Sequence, residues 1–333
     1  MSALFGFFPA LAGRVHHAVL AELPTRVEQA DGVLRGADIW LKRDDTSSPV
    51  YGGTKLRLLE HLLGAARAAG ATRVYSTGAV GSNFAEATAL HAPRVALAPG
   101  AICFPQPLTD EAARSHRVVQ ARAQVMEIPH WSLLLLATER VRRSDPGACV
   151  LSQVSFDAES LFGYVAAGLE LALQIEAKEC PSPARVVLPI GSAATSAGLL
   201  AGLSLARKMG LLRSAITVCA VRIAAWPLSR RGRVLSLATT SLSWLSRLTG
   251  EPRLALPKGD LLPLELVTDQ LGVGYPHATP EGSRARHVFA DAGYPILDDT
   301  YSAKAAAHVL ATAQGAGPVL LWCTKSSAGT PLD

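Results

Sequence analysis

The chain has 333 residues, 49% of them hydrophobic and 18% charged, with a formal net charge of +5. That length allows one large or two moderate domains around an ample core, and the composition excludes a disordered chain. Five isolated cysteines, Cys103, Cys149, Cys180, Cys219 and Cys323, form no Cys-x-x-Cys pair, which argues against a disulfide framework and for small core side chains in a reducing compartment.

The stretch from Met1 to Pro9 is apolar but has no basic leader and is broken by Pro9 and Gly13, so the cytoplasm is the expected location. Apolar runs then alternate with amphipathic ones. The pattern predicts a strand at Asp38 to Lys42, a helix at Lys55 to Ala69, a strand at Val74 to Ser76, a helix at Asn83 to His91 and a strand at Val95 to Leu97. Asp145-Pro-Gly marks a crossing into a long helix from Ala158 to Ala177, striped by Leu161, Val165, Leu169, Leu173 and Ile175. A strand at Arg185 to Ile190 leads through a small-residue loop into a helix from Leu199 to Met209. Val186 to Ala206 carries no charge, but Pro189, Gly191, Ser192, Thr195 and Ser196 divide it, which argues against a membrane span. Arginines gather at Arg222, Arg230, Arg231, Arg233 and Arg247 without interleaved aromatics, the pattern of a solvated face with no nucleic-acid partner. Residues 226–263 have no clear period, and no internal repeat is evident. The alternation predicts an α/β fold in which a smaller domain, 51–155, is inserted in a larger one built from 1–50 and 156–333.

Three turns carry candidate chemistry. Gly52-Gly-Thr-Lys55 opens an apolar helix and can aim Lys55 into a cleft, where desolvation lowers the amine's pKa and makes it nucleophilic, as a Schiff-base lysine requires. Taken alone, such a lysine is more often a solvated surface residue. The turn from Thr77 to Asn83 sets free amides beside a hydroxyl and a carboxamide; a carboxylate could dock there, or Ser82 and Asn83 could merely cap a helix. Gly191, Ser192, Ala193, Ala194 and Thr195 place small residues before a helix, where backbone N–H groups and the helix dipole suit a phosphate monoester, although an ordinary tight turn is the commoner meaning. The chain has no G-x-G-x-x-G, Walker lysine or G-x-S-x-G elbow, and no metal is expected.

Read in order, the segments LKRDDTSSPVYGGTKLRLLE, STGAVGSNFAEATA, LFGYVAAGLELA, LPIGSAATSAGLLAGL, GVGYPHATPEG and LDDTYSAKAAAHVL resemble the 1-aminocyclopropane-1-carboxylate deaminase and D-cysteine desulfhydrase family. These are fold-type II pyridoxal-phosphate enzymes of the tryptophan-synthase β superfamily, built on two open, largely parallel twisted sheets flanked by helices. The likeness covers most of residues 40–325, and the family's intervals recur: Lys55 and Ser82 are 27 apart, Tyr275 and Tyr301 are 26 apart. The resemblance implies that Lys55 forms the Schiff base with pyridoxal 5'-phosphate, that Asn83 bonds the ring's phenolic oxygen, and that Gly191 to Thr195 hold the phosphate. It further implies that Ser82 engages the substrate carboxylate, with Phe84 beside it, and that Tyr275 and Tyr301 line the pocket as polar or proton-relay groups. Ser302 is implied to face the pyridine nitrogen, with Thr324 as a second hydroxyl near it. Deaminases carry glutamate there and desulfhydrases threonine, so a hydroxyl points to β-elimination, the chemistry of a neutral ring. Thr54, Gly81 and Phe84 depart from the family and point to an altered substrate; Leu58 replaces a phosphate-assisting lysine, for which Arg57 is the neighbouring substitute. The implied protein is a homodimeric lyase that removes a β-leaving group from a small amino acid such as D-cysteine. The alternatives are deaminase-like ring opening, β-replacement, and a non-catalytic pyridoxal-phosphate binding protein.

Overall fold

Short β-branched and apolar runs pair into two sheets in this computed structural model, which describes residues 2–152, 157–224, 226–294 and 297–327. Strands β1 (Val27–Gln29) and β2 (Ile39–Lys42) come first. Then follow β3 (Arg73–Ala79), β4 (Ala98–Phe104), β5 (Gln124–Glu127) and β6 (Ala148–Leu151), and finally β7 (Arg185–Ile190), β8 (Thr217–Arg222), β9 (Leu264–Val267) and β10 (Val319–Trp322). The first two and last four form one sheet, in the order β1-β2-β10-β7-β8-β9; the middle four form the other, β5-β4-β3-β6. Every pairing is parallel except β1 with β2. The smaller sheet therefore lies, in sequence, inside the larger one, while the expected boundary at 155/156 falls outside the described residues.

Parallel neighbours require crossovers, and helices supply them. In chain order these are α1 (Ala3–Phe7), α2 (Thr54–Ala68), α3 (Asn83–His91), α4 (Asp110–Arg122), α5 (Leu134–Ser144), α6 (Phe162–Glu176), α7 (Ala194–Lys208), α8 (Arg231–Thr249), α9 (Pro280–Asp291) and α10 (Ser302–Thr312). Because both faces of the larger sheet are covered, β7 is apolar after Arg185: Val186, Leu188 and Ile190 join the core beneath α6 and α7, whereas Val187 joins the core of Phe289, Ala305 and Val309 on the other side. Helices α6 and α7 approach closely at Gly168 and Gly202; a Cβ on Gly168 would stand 2.7 Å from the Leu203 nitrogen. Among the described residues no helix is long and apolar enough to cross a membrane.

Two local expectations change. The predicted strand at Val95 to Leu97 is instead the end of a 3₁₀ turn, Ala92–Val95, followed by Ala96 at φ 59°. Pro93 starts that turn, and the strand begins three residues later, where Pro99 and Gly100 had hidden it in the sequence. The unplaced 226–263 region contains the longest helix among the described residues, α8, whose buried stripe of Val234, Ala238, Ser241, Leu242 and Leu245 is diluted by serine and threonine.

Candidate active site

A cavity of about 340 Å³ opens between the two sheets, at the carboxyl ends of β3, β4 and β7 and just past β8, the side on which open α/β sheets bind ligands. Lys55 reaches it from the first turn of α2. Gly53 makes this possible: at φ 102° it joins an isolated antiparallel bridge to Lys325, and any Cβ there would lie 2.7 Å from the Thr324 carbonyl oxygen. Thr54 N–H donates to that same oxygen at 2.9 Å. Burial draws the Lys55 amine down to about 8, and no ion pair among the described residues includes it.

Ser82, Asn83 and Phe84 line the same cavity. Ser82 Oγ accepts from the Phe84 N–H at 3.3 Å, so it does cap α3, and Phe84 is fully buried. Across from them Gly191, Ser192, Ala193, Ala194 and Thr195 also line the wall, at the start of α7. Ala193 is left-handed, φ 73°, a conformation that costs a non-glycine residue on the order of 1–2 kcal/mol. The first N–H groups of a helix have no internal partner, and the Ser196 hydroxyl, 1% exposed and facing this cavity, has no hydrogen-bond partner. Free amides, hydroxyls and an orphaned buried Oγ on one concave loop fit a phosphate.

The two tyrosines come from different parts of the chain and meet: their hydroxyl oxygens are 2.9 Å apart, with the rings edge to face. Burial pushes both phenols up, Tyr301 the further because Tyr275 adds to it. Asp298 fixes this corner by accepting from the N–H groups of Tyr301 at 2.7 Å and Ser302 at 2.8 Å. Ser302 itself is buried behind the cavity wall; its Oγ lies 3.4 Å from the Oγ1 of Thr324, which does line the wall.

The sequence missed Tyr51, Gln106, Ser196 and Lys325, all of which line the cavity. Tyr51 and Lys325 flank residues that were singled out, and Ser196 extends the small-residue loop by one position; Gln106 has no local signal. Burial lowers the Lys325 amine to about 8, and it pairs with Glu111. Leu58 packs in the apolar core under α2.

Arg57 is not the substitute cation. Its guanidinium turns away from the cavity into a buried cluster, with Nε 2.8 Å and Nη2 2.7 Å from Asp44, and Nη2 2.9 Å and Nη1 3.1 Å from Glu170. Lys42 Nζ adds 2.6 Å to Glu170. Burial alone would raise the Glu170 carboxyl, but Arg57 and Lys42 outweigh it and bring it down to about 2.

Comparison with known proteins follows the same line. The family model described as "Pyridoxal-phosphate dependent enzyme" matches residues 19–324. Nocardicin C-9' epimerase of Nocardia uniformis subsp. tsuyamanensis is 34% identical over 326 residues, spanning 95% of this chain and 94% of that protein. D-cysteine desulfhydrase of Salmonella paratyphi A is 27% identical over 286 residues, 83% of this chain and 81% of the relative. The solved structure of an ACC deaminase homologue has the same fold, with a TM-score of 0.77 at 24% identity over 99% of this chain and 96% of the other.

Proposed function

The chain belongs to the pyridoxal-phosphate dependent enzymes, and from that premise we propose that it moves the α-proton of an amino-acid substrate and inverts the α-carbon. Bound in the cavity, the cofactor supplies an electron sink for the carbon that loses its proton. The chain's own residues do the rest. Lys55 Nζ anchors the cofactor and exchanges the proton on one face of the α-carbon, burial having drawn its amine down to about 8, close to neutral pH. Ser82 Oγ and the amides that open α3 hold the substrate carboxylate, and Asn83 orients the ring. The loop from Gly191 to Ser196 holds the phosphate. Phe84, Phe104 and Ile223 line the cavity and keep water from the reacting carbon.

Inversion needs a second proton carrier, and one observation supports it: the hydroxyl pair of Tyr275 and Tyr301, 2.9 Å apart in the same cavity as Lys55. Burial keeps both phenols protonated, so the pair has a proton to give to the face that Lys55 does not serve, and it takes that proton back when the opposite enantiomer reacts. The epimerase at 34% identity over almost the whole chain favours the same outcome.

A second reading, β-elimination from a small amino acid such as D-cysteine, draws on Ser302. Its hydroxyl sits beside that of Thr324, and the adjacent carboxylate of Asp298 is committed to backbone N–H groups. A panel of D- and L-amino acids in deuterated water separates the readings. Inversion gives α-deuteration and both enantiomers with no keto acid; elimination gives keto acid and ammonia, and added thiol diverts it if the chemistry is replacement. Absence of exchange on every substrate would reject both in favour of a non-catalytic binding protein.

A further inference from the structure

A phosphate monoester carries close to two negative charges, and its cradle here has none of the opposite sign. The cations lining the cavity are Lys55 and Lys325; the first is committed to the aldehyde end of the cofactor and the second is paired with Glu111. Arg57 lies in the buried cluster. What remains on the loop is backbone N–H and the hydroxyls of Ser192, Thr195 and Ser196.

Behind the loop the situation reverses. Arg233, in the first turn of α8 and half-buried, donates from Nε to the Ser192 carbonyl oxygen at 3.2 Å. Arg222 ends β8 in register with Ile190, the last residue before the loop, and its Nε is buried without a partner. In a trans peptide the C=O and the following N–H point in opposite directions. Arg233 is not among the residues that line the cavity, so holding the Ser192 oxygen on the outer side turns the Ala193 N–H inward. It also braces the left-handed turn at Ala193, φ 73°, which has no glycine to relieve it.

We infer that Arg233 is the positioning residue of the phosphate cradle: it pins the Ser192 carbonyl outward so that the Ala193 N–H faces the phosphate, and it brings a positive charge that the loop's own residues, 191–196, lack. This rests on the cofactor site proposed above, and it reassigns part of an arginine cluster that sequence alone reads as a solvated face.

The test is binding of pyridoxine 5'-phosphate, which has the phosphate but no aldehyde for Lys55, to the cofactor-free full chain by calorimetry. Arg233→Gln keeps a donor for Ser192 but loses the charge, and is expected to raise Kd about tenfold or more, the scale of one charge-assisted contact. Arg233→Lys keeps the charge and is expected to stay within about threefold of the parent, a rescue that a packing role would not give. An unchanged Kd in Arg233→Gln overturns the inference, as does an equal loss in Arg233→Lys. If Arg233→Gln does not fold, the lysine variant decides alone: a loss of about tenfold or more in it overturns the inference. Failure of the parent chain to bind pyridoxine 5'-phosphate is a different result, and removes the cofactor site itself.

Discussion

Lys55 and Arg57 stand two residues apart on α2 and meet opposite surroundings. Each nitrogen of the Arg57 guanidinium donates to Asp44, Glu170 or Thr25, and the residue is 1% exposed. The Lys55 amine opens on a cavity, and burial alone draws it to about 8. Helical geometry makes the division, because positions two apart are rotated by about 200° around the axis. A buried cation with a full set of partners holds a fold together; one left short is available for chemistry.

The largest expected effect comes from removing the short-changed cation. Lys55→Ala is expected to lower turnover by on the order of 10²- to 10⁴-fold or more, with the melting temperature unchanged or slightly raised, since no partner is orphaned. Steady-state rates beside a thermal melt check both halves. A loss of stability equal to the loss of rate would erase the contrast. Arg57→Met should do the reverse: it leaves Asp44 and Glu170 buried without their cation and is expected to cost about 3–5 kcal/mol in chemical denaturation. Were it to fold normally and merely bind the cofactor less well, Arg57 would belong to the cavity after all.

Acid sharpens the same division. The Glu170 carboxyl titrates at about 2 in the folded chain, below the ordinary carboxylate value that it has when unfolded. Its contribution is therefore complete above roughly pH 5 and is lost as pH falls toward 2, in total roughly 1–3 kcal/mol. Stability measured by denaturant between those limits should decline steeply in the parent chain. In Glu170→Gln the slope should be shallower, on a lower baseline, because that side chain cannot take up a proton. An identical slope in the variant would assign the acid sensitivity to other carboxylates.

The candidate site was more legible in sequence than the fold around it. Glycine-hinged turns announce themselves locally, so Lys55, Ser82, Asn83 and the loop at 191–195 could be named from the residues, while Tyr275, Tyr301 and Thr324 are named only through the family resemblance; all are brought to one cavity. What could not be read depends on topology. Lys325 reaches the cavity because β10 inserts between β2 and β7, and the partners that claim Arg57 include Glu170, 113 positions away. Arg233 acts on the loop from 41 positions further on. Helix α8 escaped because serine and threonine blur its period, and β4 because Pro99 and Gly100 break the look of a strand.

The smallest predicted effect carries the comparison from cations to hydroxyls. Helix α7 holds two buried serines, Ser196 and Ser204, both on its inner side. Ser204 is saturated: its Oγ donates to the Leu200 carbonyl at 2.6 Å and accepts from the Leu262 N–H at 2.9 Å, tying α7 to the segment before β9. Ser196 Oγ has no partner and faces the cavity. Removing a satisfied hydroxyl strands the groups it served, whereas removing an orphan relieves a desolvation cost already incurred. Ser204→Ala is therefore expected to destabilise the cofactor-free chain by about 1–2 kcal/mol with little effect on ligand affinity. Ser196→Ala should leave that stability unchanged or raise it by up to about 1 kcal/mol, yet weaken phosphate-ester binding by a few-fold, about one neutral hydrogen bond. Paired melts and titrations of the two variants measure this directly. A Ser196→Ala chain that loses stability and keeps its affinity would place that hydroxyl with the structural groups and leave the cradle ending at Thr195.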